Sequence, residues 1–269
     1  LRNGSRIDFM DLSFIMLDME QNSNSLLRTE LAALLAEFEF RKETLARILE
    51  HYYWRELGQL LLEYMTLDVS NKRVKRKIEI LADQIDSGMG INMNLAADQA
   101  DAELSEYDRR VEEARKKVIF SKSESCIIPT RSETEKAIKV FADFITCFHP
   151  DINPNRTEQD KEIWWKSRSL FRELRYSDLD ELHGMWVPSA RLGEGRDDVL
   201  SGYVEKEMSR KIDALKNEIE RMKGTFPFIL EDKILDPNWI ASEKQNLKRK
   251  KEYLVRQRIV LDLELLDYR

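Results

Sequence analysis

The feature that most constrains this 269-residue chain is a long, regular run of apolar positions from about Leu26 to Ile85. Leu27, Leu31, Leu34, Phe38, Leu45, Ile48 and Tyr52 follow four-three spacing, with Arg41 interrupting. After a shift of phase, Leu57, Leu60, Tyr64, Leu67, Val74, Ile78, Leu81 and Ile85 resume it. Sustained four-three spacing makes a narrow apolar seam, the signature of a coiled coil. One helix of about 60 residues would be about 90 Å long. A helix with a one-sided seam is not stable alone at that length, so it needs a partner helix.

The partner follows directly. In "DSGMG", Gly88 and Gly90 can take the positive φ of a helix end. Leu104, Tyr107, Val111, Ala114 and Val118 then repeat the spacing. A short Gly-bearing turn between two seams predicts an antiparallel hairpin. A Ser-rich link with Pro129, "SKSESCIIPTRS", ends this part. Beyond "LGEGRDD", read as a flexible link, a further seam runs through Met208, Ile212, Leu215, Ile219 and Met222. Gly224 and Pro227 end it. Asp236 and Pro237 restart a helix as N-cap and first-turn proline. Its Ile240, Leu247, Leu254, Leu261 and Tyr268 recur every seven residues. The expectation is an all-α, elongated chain. Its divisions are an N-terminal coiled-coil hairpin over 1–120, a helical centre over 130–187, and a C-terminal coiled-coil hairpin over 198–269. Packing explains every seam without further function.

Composition supports this reading. Gly (9) and Pro (6) are scarce and charged residues reach 35%, as helices with wide solvated faces require. A hydrophobic share of 42% excludes global disorder. The net charge of -6 argues against a nucleic-acid binder. The basic runs 71–77 and 248–251 lack interleaved aromatics and read as solvated helix faces. No apolar run approaches a membrane span. Asp8, Asp11 and Asp18 break up the apolar opening, unlike a secretory leader. Cys126 and Cys147 stand far apart without a CxxC, so neither a disulfide framework nor a zinc finger is expected. A reduced, cytoplasmic setting fits.

The centre carries the one pattern with chemical content. Ser132 and Glu135 read as a capping box opening a helix. Ala137, Val140, Phe141, Phe144, Ile145 and Phe148 form one wide buried face of that helix. Pro150 cannot continue it and pushes His149 out of helical geometry. Asp151 and Asn153 are turn formers. Thr157 and Asp160 resemble a cap for the next helix, whose inner face is Ile163, Trp164, Ser167, Leu170, Phe171 and Leu174. The result is a helical hairpin with His-Pro-Asp at its turn. As a mere helix stop, the tripeptide would need no further explanation.

With Phe148 before it and Asn153-Pro154 after one residue, the segment resembles the J-domain of DnaJ-type cochaperones over about residues 130 to 185. "FADFITCFHPDINPN" is similar to that family's second helix and loop, and "IWWKSRSLFRELRYSDLDEL" to its third helix. More loosely, the whole layout is similar to bacterial DnaJ-like proteins with coiled-coil hairpins on either side. The resemblance implies a partner, a DnaK-type chaperone ATPase; separately, the sequence offers no catalytic set, phosphate loop or usual metal-ligand spacing, so no enzymatic activity, cofactor or metal is expected. It implies that His149, Pro150 and Asp151 form the trigger, with Asp151 pairing with a cationic group of the partner. Lys136 and Lys139 would steer the encounter. Nearest the loop the same helix holds Asp143, Thr146 and Cys147. No first helix of the family is visible in "SKSESCIIPTRS", so the hairpin must pack against another part of the chain, such as the long arms.

Other chemistry is poorly supported. Cys147, His149 and Asp151 do not have a usual metal-ligand spacing. "RLGEGRDD" lacks the Lys-Ser/Thr of a phosphate loop. His51 is expected on a helix surface or in a seam. Two functional expectations remain. One is a cochaperone whose arms hold a client or scaffold. The other is an interaction protein in which the hairpin is only a folding unit. The second expects His149 and Asp151 to bond within their own loop and an arm to cover the outer face of the 132–148 helix. The seams can close within one chain or between copies.

Overall fold

The structure, a computed structural model, describes residues 25–123, 128–153, 156–193 and 202–268, with backbone alone at 189–193 and 202–204. The apolar opening with its three aspartates, Cys126, Pro154 and most of "LGEGRDD" lie outside the described residues. The protein is all-α, as expected. Helix α1 runs through 25–39 and leads into a π-helical segment, Phe40–Leu45. Then come α2 (Ala46–Asp86), α3 (Met93–Ser123), α4 (Arg131–Phe148), α5 (Glu158–Arg172), α6 (Tyr176–Gly193), α7 (Gly202–Lys223) and α8 (Pro237–Leu266). No helix among the described residues is long and apolar enough to cross a membrane.

The chain divides into two compact units. The first takes the described parts of Leu1–Arg47 and Ile128–Phe228. Its core is built on Phe141 of α4, stacked on Phe171 at 4.2 Å and on Trp164 at 5.6 Å between ring centres. Leu179, Leu182 and Val187 of α6 and Met208 and Ile212 of α7 close the same cluster. Leu31, Ala32, Ala36 and Phe40 supply the N-terminal side. So the hairpin packs against the beginning of the long N-terminal helix. The π segment explains the interruption at Arg41. Ala32, Ala36, Phe40 and Thr44 are buried at every fourth position. In an α-helix of 3.6 residues per turn such a row drifts round the helix, whereas i→i+5 winding is slower and holds Phe40 and Thr44 on the core side.

The second unit takes Ile48–Ile127 and Ile229–Arg269, again as far as described. α2 and α3 form the expected antiparallel hairpin. Its turn uses Gly88 at φ 70°, whereas Gly90 does not need a positive φ. α8 lies along α2 in parallel, seven residues at a time. Lys244 meets Glu56 at 2.8 Å, Lys251 meets Glu63 at 2.9 Å, and Arg258 meets Ser70 at 2.6 Å. Between these rungs the buried Asn71 amide donates to the Leu254 carbonyl at 2.8 Å. Helix α2 therefore serves two neighbours, and its buried residues are not one seam. Leu57 and Leu81 are buried as expected, but so are Leu62, Val69 and Ile80. Leu60, Tyr64, Leu67, Val74 and Ile78 are half-buried, and Ile85 at the turn is exposed. On α3 the expected seam holds at Leu104, Val111, Ala114 and Val118, while Tyr107 is exposed under the Lys72 ammonium at 4.8 Å. His51 is buried.

The C-terminal hairpin expected over 198–269 is divided between the units. The α7 seam residues Met208, Ile212, Ile219 and Met222 are buried in the first unit, and Leu247 and Leu254 of α8 in the second. Each seam was legible, but a seam does not name its partner. The break falls at Phe226-Pro227, a cis peptide, and the short 3₁₀ turn Phe228–Leu230. α8 opens as expected, with the Asp236 carboxylate accepting from the Asn238 N–H at 2.9 Å and Pro237 in the first turn.

One close approach sets the spacing of α2 and α3. A β-carbon at the buried Gly58 would sit 2.9 Å from a Val118 methyl and 3.2 Å from the Trp54 ring. We expect Gly58→Leu to lower the stability of the second unit by about 1–3 kcal/mol through overpacking, as measured by urea denaturation.

Candidate functional site

The His-Pro-Asp turn is built by what Pro150 forbids. Without an N–H, and with its ring against the preceding residue, it ends α4 at Phe148. His149 is the C-cap, extended at ψ 137°. The last carbonyls of α4 then need donors. Asn153 donates its side-chain amide to the carbonyls of Thr146 and Cys147, both at 2.7 Å. Arg156 donates to the Phe148 carbonyl at 2.9 Å. The Ile152 and Asn153 N–H groups donate to the His149 carbonyl at 3.1 and 2.8 Å. Asn153 was legible as a turn former and its capping role was not. Arg156 gave no signal in the sequence, because its partner is a backbone group eight residues away.

The two helices of the hairpin are each closed by a reciprocal cap. On α5, Thr157 and Asp160 bond as expected, the Thr hydroxyl accepting from the Asp160 N–H at 3.2 Å. On α4 the expected cap is corrected. Thr130, not Ser132, is the N-cap, and Glu133, not Glu135, reaches back to it at 2.8 Å. Thr-x-x-Glu and Ser-x-x-Glu both occur in "TRSETE"; the earlier start adds two residues to the helix directly after Pro129. Glu135 instead pairs with Arg131 at 2.8 Å. At the far end of α5, Leu174 takes φ 61° in a Schellman closure, its successor Arg175 donating to the Leu170 carbonyl at 2.9 Å.

The turn brings together three of the five expected site residues. Pro150 and Asp151 are exposed at its apex and His149 is half-buried beneath them. The His149 ring stands edge-on to Trp164 at 4.9 Å, and its Nδ1 accepts from the Asp151 N–H at 3.1 Å. Among the described residues the Asp151 carboxylate finds its partner outside the loop. It meets Lys211 of α7 at 3.0 Å. Lys136 and Lys139 lie further back on α4. Lys139 is exposed, while Lys136 pairs with Asp180 of α6. Asp143, on the same helix, is half-buried and bonds His183 of α6 at 2.8 Å. Helix α6 thus engages part of the outer face of α4, a role first given to an arm. Sequence reading missed Asp180, His183 and Lys211, since nothing local marks a side chain whose partner is 40 or more residues away. Cys147 is buried in the core cluster. Among the described residues, no group of three His, Cys, Asp or Glu could hold a metal ion.

Burial pulls the His149 imidazole below its ordinary value of 6.5, with Asp151 opposing the shift and Arg156 and Lys211 reinforcing it. His149 is therefore neutral at pH 7, free to accept at Nδ1. The linkage has a definite sign. The unfolded chain binds this proton at a higher pH than the folded one, so stability falls as pH drops below 6.5 toward the folded value. We expect the native chain to lose more thermal stability between pH 7.5 and pH 5 than His149→Gln does, as measured by circular dichroism melting.

A shallow groove on the first unit is lined by Glu43, Arg47, Trp165, Arg168, Arg172 and neighbours. Its arginines are largely satisfied, Arg168 by Glu39 at 2.6 Å and Arg172 by Glu43 at 2.7 Å. The groove offers little net charge to a ligand. Comparison of the chain with protein-family models, with curated proteins and with solved structures gave no match.

Proposed function

We propose that the chain is a J-domain-like cochaperone that engages a DnaK-type chaperone ATPase through His149, Pro150 and Asp151, with the helices of the second unit available to hold a client or scaffold. The observation that supports this is the placement of Pro150 and Asp151, exposed at the apex of a rigidly capped helical hairpin. An exposed Asp–Lys pair contributes at most about 1 kcal/mol. The Asp151–Lys211 pair is therefore weak enough for a cation of the ATPase to displace Lys211. The exposed Lys139 would steer an acidic partner surface. On this reading Lys211 is an internal competitor of the partner.

A second reading, an interaction protein without effect on an ATPase, is favoured by the internal pairing of Lys136 with Asp180 and of Asp143 with His183. Single-turnover ATP hydrolysis by the DnaK-type protein of the same organism separates the two. We expect the chain to accelerate hydrolysis, His149→Gln to abolish the effect, and Lys211→Ala to lower the half-maximal concentration by up to about fivefold. No acceleration by either the native chain or Lys211→Ala at saturating concentration would establish the second reading.

A further inference from the structure

Helix α8 is apolar on two sides, and the second side is exposed among the described residues. Leu247 and Leu254 are buried in the second unit. On the opposite face, Val255 (47% exposed), Ile259 (58%), Leu263 (60%) and Leu266 (51%) stand at steps of four, four and three. At 3.6 residues per turn these four make one stripe. Arg256 and Asp267 border it on one side, and both are exposed. Asp262 borders the other and is neutralised by Arg258 at 2.8 Å.

The charge along α8 is segregated. Residues 248–258 carry Lys248, Arg249, Lys250 and Arg256 against one acid, Glu252, while Lys251 and Arg258 are engaged by Glu63 and by Ser70 and Asp262. Residues 262–267 carry Asp262, Glu264 and Asp267 and no base. A surface that is basic at one end and acidic at the other is complementary to its own copy turned end for end. A two-fold axis near Leu261 sets Ile259 of each copy beside Leu263 of the other and Arg256 beside Asp267. Parallel pairing would set Arg256 on Arg256 and Asp267 on Asp267. A membrane surface would have to take Asp262 and Asp267 along with the apolar stripe.

We infer that this face of α8 is an antiparallel, two-fold contact with a second copy of the chain. The contact is isologous, each residue serving both partners. At about three helical turns per copy the contact is small for a protein interface, and we expect a weak dimer with a dissociation constant on the order of micromolar. The inference stands independently of the cochaperone reading, since it involves neither the first unit nor the His-Pro-Asp turn.

Sedimentation equilibrium of the full chain from low to high micromolar concentration tests it. The native chain should pass from monomer to dimer. Ile259→Asp with Leu263→Asp should remain monomeric with an unchanged circular dichroism spectrum. Arg256→Asp and Asp267→Lys should each weaken the dimer about tenfold, and the double variant, or an equimolar mixture of the two single variants, should restore it. A native chain that stays monomeric throughout, including one that binds anionic vesicles through this stripe instead, overturns the inference. So does a dimer indifferent to Ile259→Asp with Leu263→Asp, or a charge pair that the double variant does not restore.

Discussion

The first unit depends on the one hydrogen bond that Pro150 cannot make. Its missing N–H and its ring together stop α4 at Phe148 and hold His149 extended. The carbonyls left open there are taken by Asn153 and Arg156, which turns the chain back along α4. That return stacks both Trp164 and Phe171 on Phe141, and the remaining helices pack on the same cluster. The same constraint that makes the fold makes the candidate site. A helix that must end abruptly over a buried aromatic layer leaves a proline and an acid exposed at its turn.

The second unit rests on a different constraint, heptad register. Pairs from α2 and α8 recur at steps of seven, so the two helices keep contact along their length only in this alignment. The buried Asn71 amide on the Leu254 carbonyl adds directional specificity that apolar packing lacks. Had the register slipped by one residue, the Asn71 amide would be buried without this acceptor, at a cost of about 1–3 kcal/mol, whereas the Leu254 carbonyl keeps its bond within α8.

Much of this was legible in the sequence because the signals were local. The seams of α3 and α7, the N-caps at Thr157 and Asp236, the turn at Gly88 and the helix stop at Pro150 each depend on residues a few positions apart. What was not legible depends on distance along the chain. Sequence spacing showed that α7 and α8 each carry a seam and could not show that the seams close in different units. Likewise Lys211, His183 and Asp180 looked like ordinary charged or polar residues until the fold set them against Asp151, Asp143 and Lys136. The cap of α4 failed for a subtler reason: two overlapping matches to one motif stood two residues apart, and local pattern alone could not rank them. The π segment left a trace, Arg41 breaking a seam, whose meaning became clear only with the four-residue row of buried side chains.

The His-Pro-Asp turn joins a capped hairpin to a weakly held carboxylate, and on the proposed function a chaperone ATPase meets the chain there. The most direct test is to titrate the ATP-bound DnaK-type protein into isotopically labelled chain and record which backbone amides shift. Docking at the turn should give the largest changes at residues 149–153, with Lys211 and Lys139 responding and α3 and α8 silent. Changes confined to the helices of the second unit, or none at saturation, would contradict it.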